Sequence, residues 1–372
     1  MPLSNEDSLR LNVLLANAVA IKLDEGSMCV QGLLKDGGET RFKLSPNCSN
    51  ERYARSVKEL LSSNTLGSPG GYPVFLKRWT RMGQTSDDAR LADLLLLAEP
   101  EACVAVTSAS CLTDELAERV WWAMPDAENA RRMLKHQAVV QGRMGKVLAD
   151  FLVEFLPFEQ EPRAIIDSVA LVLQPGLVSE EVRREIWARG RKKGIFRLGF
   201  LKTLPDALPQ QNPPRVPDPA LQALADEGNL FARQLHRLYS SNGQAYLSVC
   251  EGILHKPSNQ DTVVVLLETL ADFLRPVRVF ESRYHFMHEI EKDIHTLLEG
   301  AEHHPGLQQF LHSCGHLRDE LTALLTLAHA DDHVLTPIFS RTDAVGSVMR
   351  KKILPVVEPV VACLKTLQAK DG

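Results

Sequence analysis

The stretch AVAIKLDEGSMCVQGLLKDGGETRFKL, residues 18–44, decides the fold class, because here the chain leaves the helical period that governs most of its length. Three short runs within it, AVAIKL (18–23), SMCVQGLL (27–34) and ETRFKL (39–44), are β-prone. Asp24-Glu25-Gly26 and Asp36-Gly37-Gly38 separate them. Apolar runs bounded by such turn residues predict a three-stranded antiparallel meander. A lone three-stranded sheet is marginal in water, so it needs a helix to pack on, expected over 50–63. Upstream, residues 5–16 predict a short helix with Asn5, Asp7 and Ser8 as candidate N-caps.

Beyond a loop at 64–73 the helical period dominates, predicting helices near 74–82, 87–97, 113–123, 126–136, 139–156, 162–172 and 179–203. Prolines 205, 209, 213, 214, 217 and 219 then crowd into LPDALPQQNPPRVPDP. So many prolines exclude a helix and mark 205–219 as the expected linker between an N-terminal domain (1–204) and a C-terminal helical domain (220–372). The latter reads as helices near 220–256, 260–275, 279–300, 306–328 and 344–368. The expected fold is mainly α: an N-terminal antiparallel β-meander with helices, then a helical bundle or helical-repeat array. Residues 112–123, LTDELAERVWWA, align without a gap with 177–188, LVSEEVRREIWA, which would suit a repeat.

With 372 residues, 44% of them hydrophobic and 24% charged, the chain can bury a core and suits two domains. A net charge of -5 argues against coating nucleic acid or anionic membrane with the whole surface. The seven cysteines form no C-x-x-C pair, as in proteins of a reducing compartment. Glu6 and Asp7 stand where a secretory signal would carry positive charge, and no apolar run reaches membrane-spanning length. The expectation is a cytoplasmic protein with no membrane partner.

Nine of the twelve histidines lie between 285 and 333. His285/Glu289 and His312/His316 have the i, i+4 spacing of helical metal sites. With His255 upstream, this order resembles the hemerythrin-like oxygen-binding bundles, which would imply a di-iron centre. On a helical wheel, however, His285 and Glu289 project roughly 150° away from the arc of Phe280, Tyr284, Met287, Ile290, Ile294 and Leu298. His312 and His316 likewise oppose the arc of Leu307, Phe310, Leu311 and Leu321. Ligands of a bundle must face inward, so a solvated polar face is the favoured reading and no cofactor is expected. A metal- or oxygen-binding bundle using these histidines stays as an alternative.

A basic cluster, Arg183, Arg184, Arg189, Arg191, Lys192 and Lys193, with Arg197 beyond, is a candidate nucleic-acid contact. Glu180, Glu181 and Glu185 share the helix, so ion pairs on a wet face explain most of it. The glycine-rich loop 66–73 with Lys77, Arg78 and Arg81 lacks the spacing of a P-loop or a dinucleotide fold. No nucleophile elbow, H-E-x-x-H or paired-carboxylate signature is legible.

The stretches LGSPGGYPVFLKRWTRMGQ (66–84), WWAMPDAENARRML (121–134) and VLQPGLVSEEVR (172–183) resemble the DsrS-type proteins, encoded with the dissimilatory sulfur-oxidation genes of sulfur bacteria. The resemblance runs through most of 1–205 and, in less recognisable text, to the C-terminus. It implies a cytoplasmic accessory or regulatory protein of the oxidation of stored sulfur, with a protein partner, and not a redox enzyme. It brings no catalytic residues. Within that setting Cys48, in the polar turn Pro46-Asn47-Cys48-Ser49-Asn50, is the candidate reactive or persulfide-accepting thiol, with an incidental loop cysteine as the favoured reading.

Overall fold

The structure, a computed structural model, describes residues 3–67, 70, 88–191, 193–216, 218–342 and 344–369. Its contacts divide the chain into two compact units, Met1–Phe155 and Leu156–Gly372. The fold is mainly α with one small antiparallel sheet near the N-terminus, as the period of the sequence predicts. Among the described residues no helix is long and apolar enough to cross a membrane.

In the first unit α1 (Asn5–Asn17) leads directly into β1 (Ala18–Asp24), β2 (Cys29–Leu34) and β3 (Glu39–Lys43), paired in that order. The register sets Ile21 opposite Gly32 and Val30 opposite Phe42. α2 (Asn50–Leu66) returns beneath the sheet, and Leu11, Leu14, Ile21, Val30, Leu44, Tyr53, Val57 and Leu61 close a core between them. Gly32 is what lets α1 approach: a Cβ there would sit 2.3 Å from Leu14 Cδ1. Overpacking of this kind costs about 1–3 kcal/mol. Gly32→Val is therefore expected to lower the urea midpoint of the chain by an equivalent amount, whereas Gly38→Ala in the adjacent turn is expected to cost less.

The unit continues through α3 (Asp88–Leu94), α4 (Pro100–Ser108), α5 (Asp114–Ala123), α6 (Ala127–Met133), α7 (Gln137–Val140) and α8 (Arg143–Phe155). α5 packs on β1, where Lys22 Nζ lies 4.3 Å from the Trp122 ring centroid. The expected helix over 74–82 and the side chains of Lys77, Arg78 and Arg81 lie outside the described residues.

The second unit comprises α9 (Pro162–Val172), α10 (Glu180–Arg189), α11 (Ile195–Thr203), α12 (Pro219–Asp226), α13 (Leu230–Tyr239), α14 (Ser241–His255) and α15 (Gln260–Phe273). It ends with α16 (Met287–Glu299), α17 (Pro305–Cys314), α18 (Arg318–His329), α19 (Thr336–Phe339) and α20 (Gly346–Leu367). The boundary expected at 205–219 falls elsewhere. α9 and α11 pack on α15, so residues 162–203 share a core with the C-terminal helices. The proline-rich segment lies inside this unit and is bonded to it. Arg215 N–H donates to Tyr239 O at 2.9 Å, Ser241 Oγ donates to Asn212 O at 2.7 Å, and Leu208 is buried.

The long helix expected over 220–256 is three helices. Asn229 accepts the N–H groups of Phe231 and Ala232, and Ser240 accepts that of Gly243, each starting a new helix by capping its free donors. The aligned segments at 112 and 177 do not form equivalent helices. Thr113 caps α5 but Ser179, one position out of register, caps α10. α5 buries Leu116, Ala117 and Val120, whereas α10 buries Ile186 and Trp187.

Candidate functional site

The side chain that positions the site is Asp7, buried in the first turn of α1. Its carboxylate accepts the Tyr53 hydroxyl at 2.6 Å and the Ser45 N–H at 3.0 Å, while Ser4 Oγ caps the helix by accepting Asp7 N–H at 3.1 Å. These bonds fix one end of α1 to α2 and to the end of the meander. Leu11 and Leu14 then take the face toward the sheet, which leaves Leu9 and Val13 on the other side, 67% and 57% exposed. Between that side and β3 runs a largely apolar groove of about 560 Å³, lined by Leu9, Arg10, Val13, Leu14, Asn17, Leu34, Thr40 and Phe42, with the Arg10 guanidinium carbon 6.0 Å from the Phe42 ring centroid.

The wall opposite α1 is an open strand edge. Leu34 N–H donates to Gly38 O and Leu44 N–H to Met28 O, so the mutually bonded residues of β3 are the even-numbered ones. The backbone groups of Glu39, Arg41 and Lys43 therefore point away from β2, and among the described residues they meet no strand. On the other face of the strand Glu39 accepts Trp122 Nε1–H at 2.9 Å and Arg41 Nε–H donates to Cys29 Sγ at 2.9 Å. Lys43 is exposed there beside Arg41. An unpaired edge over an apolar groove is the arrangement to which an added strand binds: the backbone supplies the bonds and the groove takes alternate side chains.

The histidines singled out by spacing do not come together. His285 precedes α16 instead of lying on it, because Glu289 folds back to accept the N–H groups of His285 and Phe286, each at 3.1 Å, and so starts the helix after them. His312 is exposed on α17. The helix breaks at Gly315, so His316 sits in a 3-10 turn and bonds Asp218 Oδ2. What the chain does assemble is Asp331, Asp332 and His333, whose ligand atoms lie within 4.8 Å of one another, with the His285 ring 6.5 Å from that of His333. Among the described residues, these are the ones grouped closely enough to hold a metal ion. His329, next to them, is fully buried and structural: it bonds Leu325 O through Nδ1 and accepts the N–H groups of Val279 and Phe280 at Nε2.

In the basic cluster, Arg183 pairs with Glu180 at 2.6 Å and Arg184 with Glu181 at 3.2 Å. Arg189, Arg191 and Lys193 are exposed, and Lys192 lies outside the described residues. Cys48 is half-buried against the N-terminal core, like Cys111 and Cys363 in its degree of exposure, so the polar turn does not single it out. Burial pushes the Cys103 and Cys363 thiols up to about 11, away from a reactive thiolate.

A second cleft, of about 380 Å³ and lined by Lys202, Arg237, Glu268 and Asp272 among others, belongs to the C-terminal unit. Its cations are already paired, Lys202 with Asp167 at 3.3 Å and Arg237 with Asp206, and burial raises the pKa of Glu268.

Compared with protein-family models, curated proteins and solved structures, the chain matches none. The function must be read from the sites themselves.

Sequence reasoning did not find the groove. Its signal was present in LRLNVLLAN (9–17), where Leu9, Leu11, Val13, Leu14 and Leu15 encircle a short helix instead of lining one face. A helix apolar on two sides at a protein surface has a second surface to cover.

Proposed function

We propose that this chain is a non-enzymatic accessory protein of bacterial oxidation of stored sulfur, and that it acts by receiving an extended segment of a protein partner along β3. The groove carries the reading, since exposed Leu9 and Val13 flank a strand whose outer backbone groups are unpaired among the described residues. The segment that fits places an apolar side chain at every second position over Phe42 and Thr40. On its other face an acidic residue meets Arg41 and Lys43. The sulfur-oxidation setting comes from the resemblance of 66–84, 121–134 and 172–183 to the DsrS-type proteins.

Val13→Asp puts a charge into the groove at an exposed position that the core does not use. In a sulfur-storing bacterium dependent on this protein, the variant is expected to consume stored sulfur several-fold more slowly while accumulating to the same level. The partner cross-linked to a photoreactive residue at position 41 is expected to disappear with it. Consumption at the parental rate with the groove blocked would remove the docking reading. A cross-link only to a second copy of the chain would replace the foreign partner by self-association.

A further inference from the structure

A different surface, in the C-terminal unit, carries a second assignment. The turn from α10 to α11 gathers Arg189, Arg191, Lys193 and Arg197, and among the described residues none of them has a carboxylate within ion-pair distance. The glutamates at the start of α10 are occupied by Arg183 and Arg184. Glu185, exposed on the same helix, makes no ion pair with a described residue.

Arg197 is held in place instead of left to sweep through solvent. Its guanidinium carbon lies 5.0 Å from the ring centroid of buried Trp187, which in turn packs edge-on against Phe200 at 5.1 Å. Its stem crosses Gly190 so closely that a Cβ there would stand 2.6 Å from Arg197 Cγ. Its Nε is buried without a hydrogen-bond partner among the described residues.

We propose that this turn binds a phosphate group, with Arg197 as the fixed guanidinium and Arg191, Lys193 and Arg189 completing the charge. A planar guanidinium pinned on an aromatic ring is pre-organised to bind a phosphate through two oxygens, and the flexible cations around it add charge at little geometric cost. Burial, and then the charge of Arg191, lower the pKa of Arg197, consistent with a cation that lacks an anion. The phosphate can belong to a small phosphorylated ligand or to a nucleic-acid backbone, and the chemistry of the site is the same for both.

The full chain titrated with pyrophosphate, and separately with a short single-stranded RNA, followed by tryptophan fluorescence and calorimetry, tests this. Saturable binding of at least one probe is expected. Arg197→Met, which keeps the stem over Gly190, and Arg191→Ala, at an exposed position, are each expected to weaken it about tenfold or more. Arg184→Ala, which removes a cation already paired with Glu181, is expected to change it less than about twofold. Binding of pyrophosphate alone assigns the site to a small ligand. Much tighter RNA binding, steeply weakened by salt and lost in the same variants, assigns it to a nucleic-acid backbone. If neither probe saturates, or if Arg191→Ala and Arg197→Met both bind like the parent, the site is wrongly assigned.

Discussion

Replacing Arg215 by alanine is expected to destabilise the C-terminal unit by about 3 kcal/mol, an effect no residue of a free linker could have. Arg215 stands in the proline-rich segment, where sequence alone predicts a linker between two domains. In the structure its guanidinium pairs with Glu320 on α18, donates to Thr366 O on α20 at 2.9 Å, and stacks 4.5 Å from the centroid of Tyr239 on α13. Its side chain is 20% exposed and that of Glu320 13%, so removing the cation leaves a carboxylate largely shielded from water with no partner. Stranding one member of such a pair is what costs most, more than the net worth of the pair itself. Arg215→Ala,Glu320→Gln should therefore recover a good part of the loss. Urea unfolding of the three proteins measures it, and limited proteolysis gives an independent reading. A bonded segment resists cleavage between 205 and 216 in the parent and becomes sensitive in Arg215→Ala. Rapid cleavage in both, with equal unfolding midpoints, would restore the linker.

Why this tie was illegible is a matter of sequence distance. Prolines correctly excluded a helix over the described residues of 205–218, with Pro219 opening α12, but the absence of a helix says nothing about whether a segment is free. That depends on a partner 105 residues away. The meander was legible for the opposite reason, because Asp24-Glu25-Gly26 and Asp36-Gly37-Gly38 are local turn chemistry that acts within a few residues. The same asymmetry governs the candidate site. Leu9 and Val13 are visible as surplus apolar residues, yet which side of α1 faces outward is decided by Asp7 bonding Tyr53 and Ser45, contacts 46 and 38 residues away. The breaks at Asn229 and Ser240 are harder still. Asn and Ser inside an apolar period cost a helix little enough to be passed over, and only the hydrogen bonds they make show that they end it.

His329 is fully buried, and its burial makes a prediction about pH. At Nδ1 it donates to Leu325 O at 2.8 Å, which fixes the tautomer and leaves Nε2 as the acceptor for Val279 and Phe280 N–H at 3.2 and 3.0 Å. Protonation would place a hydrogen on the nitrogen to which both donors point. Burial is the main cause that lowers its pKa, and the nearby Arg278 acts in the same direction, while the bond to Leu325 O and the charges of Asp331 and Asp293 oppose it. Tyr284, which bonds Asp293, packs edge-on against the ring. With the folded pKa below the unfolded value of about 6.5, the unfolded chain binds the extra proton first. The contribution of His329 is then complete above about pH 6.5 and is lost as the pH falls below it, at up to about 1.4 kcal/mol per pH unit. His329→Leu keeps the bulk but leaves the two half-buried N–H groups without an acceptor, an expected cost of about 2–4 kcal/mol at neutral pH. Its stability should also lose this share of the slope between pH 7 and pH 5, so parent and variant curves converge on the acid side. Parallel curves would mean that His329 accepts its proton in the folded state and that the two backbone bonds do not hold it neutral.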